Sequence, residues 1–378
     1  MPTLRDDLAT LIAAPTVSSA PVTPAAAHLA TRLEDAGLRI ERFEADEPGK
    51  VTLVATAGPA GTDGLLLTGH MDVVPVEGQP WTCEPFRLTE REGRWLGRGT
   101  ADMKGFLAAC LQAVDALPLA RLQRELVLVL THDEEIGCLG AGHLVEAWDP
   151  ARTLPTACWV GEPTDFRVMR MHAGHVAVHV EVEGRAAHTS RPALGDNAIE
   201  RAARVIEVVR ELAADLRTRV ASDLPMDDPT VPLVVARVQG GTAVNVVPDR
   251  CTLQLGYRPL PGMPPEAVFD ELRERLAHRL GYDAARVHLS LGTVTPALLT
   301  PAHGALQQLL QPHAQPGPEV APFATDGGQL ARLGTAPVVF GPGSIDVAHQ
   351  ADEHVAIDAL ERTVRLLGQV AHARCVAP

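Results

Sequence analysis

The chain has 378 residues, a formal net charge of -14, 46% apolar residues and 21% charged ones. That length exceeds one ordinary hydrophobic core, so two domains are expected, with the composition of a folded, water-facing protein. An acidic chain argues against the basic face that nucleic acid requires. No apolar run approaches the roughly 20 residues of a membrane span, and the N-terminus lacks the charged-then-apolar pattern of a secretion signal. Six scattered cysteines (Cys83, Cys110, Cys138, Cys158, Cys251 and Cys375) show no CxxC spacing. Free thiols in a reducing compartment, the cytoplasm, are therefore expected, without a disulfide framework.

The first part of the chain alternates strands and helices. VTLVATAG (51–58), LLLTG (65–69), LVLVLTH (126–132) and CWVGE (158–162) are short Val- and Leu-rich runs, as strands buried on both faces require. DMKGFLAACLQAVDAL (102–117) has helical spacing and fits a crossover helix. The repetition predicts a mostly parallel open sheet with helices on both faces. Near residue 175 the pattern changes. HVAVHVEVEGR (175–185) alternates strictly, as a sheet with one wet face does. An amphipathic helix from about 196 to 220 follows, then strands at 232–240 and 251–259, a helix at 265–280 and a strand at 285–292. This is a β-α-β-β-α-β unit, the split βαβ or ferredoxin-like arrangement. The first pattern returns afterwards, with a helix near 302–311, a strand at 336–341 and a final helix from about 353 to 373. The expected organisation is an α/β domain (1–174 and 294–378) interrupted by an inserted domain (175–293), with hinges at the two junctions.

Polar residues of metal-binding type follow several of these strands. LLLTG runs into His70 and Asp72, LVLVLTH into Asp133, Glu134 and Glu135, CWVG into Glu162, and APVVFGPGSIDVA into His349; Asp102 opens the crossover helix. Ligands of open α/β sheets bind beyond the carboxyl ends of the strands, so these side chains should converge on one rim. Imidazoles with carboxylates and no thiolate suit zinc, and also cobalt or manganese. The set exceeds the needs of one tetrahedral ion, and packed carboxylates repel unless cations lie between them.

GHMDVVP (69–75), GRGTADMKG (97–105), DEEIG (133–137), GEPT (161–164) and GPGSIDVAHQADE (341–353) closely resemble the di-zinc acetylornithine deacetylase and succinyl-diaminopimelate desuccinylase family, kin of aminoacylase and glutamate carboxypeptidases. The resemblance spans nearly the whole chain. It implies two zinc ions, one held by His70, Asp102 and Glu162, the other by His349, Asp102 and Glu135, with Asp102 shared. It implies Glu134 as general base, Asp72 as the carboxylate orienting His70, and a cis peptide after Asp102. In the inserted dimerisation or lid domain it implies that His188 helps hold a developing oxyanion, reaching the site from the partner in a homodimer. It further implies Arg258 binding the substrate α-carboxylate, with Asn245 nearby. The expected substrate is a small N-acyl amino acid, N-acetylornithine first, because YRPLPG (257–262) and the 341–355 stretch resemble the deacetylase branch. A desuccinylase, another N-acyl-amino-acid deacylase, or a metallodipeptidase or carboxypeptidase of the same fold stay open. FATDGGQ (323–329) departs from the family pattern. Asp326 there either pairs with the δ-ammonium of ornithine or caps a turn in a Gly-rich loop. His132, His143, His172, His175, His278 and His313 read as structural.

Overall fold

The computed structural model describes residues 2–18 and 20–376. Two compact units emerge. One comprises the chain up to Met171 and from Leu298 onward, and the other is His172–Ala297. The second junction falls later than the expected 293/294 because the last strand of the insert runs on to Thr295.

The first unit begins with α1 (Leu4–Ala13), α2 (Thr23–Ala36), β1 (Arg39–Glu44), β2 (Val51–Ala57), β3 (Leu65–His70), α3 (Lys104–Asp115), β4 (Leu126–Thr131), α4 (Leu139–Ala147) and β5 (Ala157–Val160). The second unit contains β6 (His175–Glu183), α5 (Ala198–Leu216), β7 (Leu233–Gly240), β8 (Arg250–Tyr257), α6 (Ala267–Leu280) and β9 (Val287–Thr295). The first unit is completed by β10 (Ala336–Val339) and α7 (Ile357–Ala371).

Its six-stranded sheet has the order β1-β2-β4-β3-β5-β10. β4, β3, β5 and β10 pair in parallel, whereas β2 is antiparallel to both neighbours. Strand β1, which the sequence pattern does not announce, is a half-exposed edge strand, and Arg39–Glu44 lacks the apolar run of a central strand. Side chains along each strand divide between two cores, as the period of two demands. Leu53, Leu65, Leu67, Leu126, Leu128 and Trp159 pack against α1, α2, α3 and α7. Val54, Leu66, Val127, Val129, Cys158 and Val160 pack with Leu144 of α4 and with Leu330. Because the four parallel strands share one direction, their carboxyl ends form one rim.

The second unit is a four-stranded antiparallel sheet of order β7-β8-β6-β9. Val176, Val178, Val180 and Val182 face α5 and α6 in its core, while the alternating His179 and Glu183 are exposed. One face is dry and one wet, in keeping with the strict alternation. Among the described residues no helix is long and apolar enough to cross a membrane.

Candidate metal centre

His70 ends β3, Glu134 and Glu135 lie just beyond β4, Glu162 just beyond β5, and Asp102 precedes α3. Two glycines permit this convergence. A Cβ on Gly69 would stand 2.5 Å from Met103 Cε, and one on Gly161 would stand 2.1 Å from the Phe106 ring. Only glycine beside His70 and beside Glu162 lets the start of α3 approach both strand ends. The Asp102–Met103 peptide is cis. Three residues of the rim hold left-handed φ without being glycine: Asp133 (52°), Cys138 (56°) and His349 (63°). Such conformations persist where surrounding contacts enforce them. For Asp133 one such contact is the buried Lys50 Nζ, 2.6 Å from its Oδ1.

Asp102 gives one oxygen to each of two imidazoles. Its Oδ1 lies 3.0 Å from His70 Nε2 and its Oδ2 3.2 Å from His349 Nε2. His349 Nε2 is also 2.9 Å from Glu135 Oε2, and His70 Nε2 is 3.8 Å from Glu162 Oε1 and 4.0 Å from Glu134 Oε2. All but the half-exposed His349 have little contact with solvent.

The protonation pattern carries a chemical message. His70 Nδ1 lies 2.9 Å from the Asp72 carbonyl, which can only accept, so Nδ1 holds a proton. In the neutral ring Nε2 is then a lone pair facing the lone pairs of Asp102, an arrangement that calls for a proton or a metal ion between them. Glu135 Oε1, in addition, is buried without a hydrogen-bond partner. The donor set therefore fits metal ions.

Without them the cluster holds protons. Burial opposes charge on His70, but the Asp102 hydrogen bond and the field of Glu162 outweigh it and raise its pKa well above the usual range. Hydrogen bonds to Asp102 and Glu135 lift His349 to about 10. Burial, then Asp102, pushes Glu135 up to about 7. Glu134 and Glu162 also rise well above the carboxylate range, chiefly through burial.

Asp72 behaves differently from the sequence-based expectation. It does steady His70, but through its backbone carbonyl, while its carboxylate Oδ1 stands 3.7 Å from the ring. That carboxylate instead accepts from the Glu134 N–H at 3.0 Å, the Glu135 N–H at 3.3 Å and the Ser18 hydroxyl at 2.8 Å. Asp326 needs a correction too. It is 2% exposed, and its Oδ2 accepts the Thr131 hydroxyl at 2.5 Å. Burial pushes its pKa up to about 6. It lies under the cluster beside Glu134 and is not an open carboxylate awaiting an ammonium group.

Glu353 supports the cluster from beneath, and sequence reasoning does not single it out. Its Oε1 accepts from the N–H groups of Gly99, Ala101 and Asp102 at 2.9–3.1 Å, and its Oε2 binds Arg98 at 2.6 Å. It thereby fixes the loop that carries Asp102. Its one signal is its place in the 341–353 motif.

The remaining three candidates lie in the second unit. His188 is exposed and bridges to Val246, and the Asn245 carbonyl accepts the Thr189 N–H at 3.1 Å, so His188 and Asn245 share one loop pair. His188 Nδ1 accepts the Ser190 N–H at 3.1 Å, which leaves the proton of a neutral ring on Nε2. Arg258 lies elsewhere. Asn245 precedes the first residue of β8 and Arg258 follows its last, so an eight-residue strand of about 26 Å separates them.

Residues 66–373 match the model of peptidase family M20/M25/M40. The chain belongs to this family. An acetylornithine deacetylase of Myxococcus xanthus is 37% identical over 380 residues, covering 98% of either chain. Among solved structures, an M20 family metallo-carboxypeptidase from Sulfolobus solfataricus superposes with a TM-score of 0.77 at 18% identity, covering 98% of this chain and 99% of that one. A dinuclear metal-binding M20 peptidase from Bacillus subtilis gives 0.66 at 16%, covering 97% and 96%. The chain is thus an M20 hydrolase with the family's α/β architecture, and its chemistry is metal-dependent amide hydrolysis.

Proposed function

We propose that this M20 hydrolase removes the acetyl group from N-acetylornithine, giving ornithine and acetate, in the cytoplasm. The observation that carries the reading is Asp102 set between two imidazoles, one oxygen to each, with Glu134 alongside. The deacetylase relative similar over its full length supports the substrate. His70, Asp102 and Glu162 would hold one ion, and His349, Asp102 and Glu135 the other. Zinc suits these nitrogen and oxygen donors, and cobalt or manganese could replace it. When bound, two such ions polarise an amide carbonyl and acidify water.

The chain's own residues do the rest. Glu134 takes a proton from the attacking water and delivers it to the leaving nitrogen as the C–N bond breaks. Its burial and carboxylate neighbours raise its affinity for that proton. Asp72 sets the position of Glu134 through the backbone N–H. The Nε2–H of His188 is a donor for the oxygen on which charge develops, and Arg258 can grip both oxygens of the α-carboxylate. A single small substrate cannot reach both ends of β8. The His188–Asn245 loop and Arg258 would therefore come from two copies of the chain, so the active form is a homodimer.

Two predictions arise here. Metal ligation requires neutral imidazoles, whereas His349, lifted to about 10, and His70 hold protons in the metal-free protein. Loading at pH 8 is expected to release at least two protons, one from each imidazole, and metal affinity should fall as pH falls. Calorimetry in buffers of different ionisation enthalpy measures this, and no release would mean the imidazoles are not ligands. The substrate is tested by kcat/KM for N-acetylornithine, N-acetylcitrulline, N-acetylmethionine, succinyl-diaminopimelate and dipeptides. N-acetylornithine should lead by about tenfold or more, equivalent to about 1.4 kcal/mol of transition-state discrimination. A dipeptide or the succinyl substrate in front would overturn the assignment.

A further inference from the structure

Beside the hydrolytic centre lies a second group of metal-type donors, which shares only Glu134 with it. A carboxylate oxygen of Glu134, the sulfur of Cys138 and a carboxylate oxygen of Asp326 lie within 4.8 Å of one another. Cys138 caps the start of α4, is 2% exposed, and donates its thiol proton to Glu134 Oε1 at 3.5 Å. Asp326 is anchored at Oδ2 by Thr131. The Cys138 thiol leans on Asp326, yet Asp326 Oδ1 is left buried without a hydrogen bond of ordinary geometry. A buried acceptor without a proper donor, beside a thiol and a second carboxylate, is a place where a cation would be welcome.

We propose that Glu134, Cys138 and Asp326 form a third, inhibitory metal site selective for thiophilic divalent cations such as cadmium or excess zinc. The selectivity follows from the donors. The hydrolytic centre offers only nitrogen and oxygen, whereas this group adds sulfur, which soft cations prefer. Ligand distances of about 2.3 Å to sulfur and about 2.1 Å to oxygen suit the Cys138–Glu134 pair, already 3.5 Å apart, with the Asp326 oxygen within 4.8 Å of both. On binding, the Cys138 S–H bond breaks, the sulfur–metal bond forms and the proton leaves to solvent. The ion ties Glu134 into its own coordination, so Glu134 can no longer take a proton from water. The inhibitory half of the proposal rests on Glu134 being the base; the site itself does not.

The test titrates zinc-loaded enzyme with cadmium while following the ultraviolet thiolate-to-cadmium absorption and the turnover of N-acetylornithine. One band saturating at a single equivalent per chain is expected, with turnover lost in parallel. Cys138→Ser should lack the band and resist inhibition, and Asp326→Asn should need about tenfold more cadmium for both effects. No band, or an equal band in Cys138→Ser arising from another cysteine, overturns the site. A Cys138-dependent band with undiminished turnover establishes the site and overturns the role of Glu134 as the base.

Discussion

Glu134→Gln is expected to lower kcat by about 10³- to 10⁴-fold while the protein keeps both metals. General-base catalysis contributes on that scale, and glutamine fills the same space without accepting a proton. The result is informative because the geometry leaves two roles open to this side chain. Glu134 Oε2 stands 4.0 Å from His70 Nε2, close to the 3.8 Å of Glu162 Oε1, and His70, Glu134 and Glu162 form one group of donors. A base and a ligand differ in what their removal takes away. Metal content measured beside kcat separates them: two ions retained with turnover lost identifies the base, and one ion lost identifies a ligand.

Asp102→Ala should be more damaging to the centre as a whole. It removes the only carboxylate, among the described residues, in contact with both imidazoles, and it leaves bound cations with less negative charge to compensate them. The metal-bound fraction should drop at both positions, and kcat/KM should fall by at least about 10³-fold, the equivalent of about 4 kcal/mol of transition-state stabilisation. Glu162→Ala makes the contrast, since it touches only the His70 side of the cluster. Equilibrium metal titration of the two variants checks this. Equal losses in both would contradict the shared position of Asp102.

Much of this site is legible in the amino-acid sequence. Strands buried on both faces are apolar runs, so a His, Glu or Asp directly after such a run stands out, and parallel strands bring their ends together. His70, Glu134, Glu135 and Glu162 are visible for that reason. The second unit is visible because Val176, Val178, Val180 and Val182 alternate with polar residues. Contacts that close over long stretches of chain are not. Glu353 reaches the N–H groups of residues 99–102 across more than 250 positions, and nothing beyond its place in the 341–353 motif signals it. The carboxylate of Asp72 is expected at His70, two residues away, but the buried N–H groups of Glu134 and Glu135 compete for it and win. Asp326 sits in a Gly-rich stretch that reads as an exposed loop. In the fold, Gly327–Leu330 is a short buried helix, and the Thr131 hydroxyl draws the carboxylate inward. Strand β1 gives no sequence signal because an edge strand with half-exposed residues has no core-facing run to detect.

Everything proposed for the centre depends on two metal ions sharing Asp102. Anomalous diffraction from crystals of the zinc-loaded enzyme tests this most directly. Two peaks are expected, one in contact with His70 and Glu162, the other with His349 and Glu135, and both with Asp102. A single peak, or two peaks of which only one touches Asp102, would contradict it.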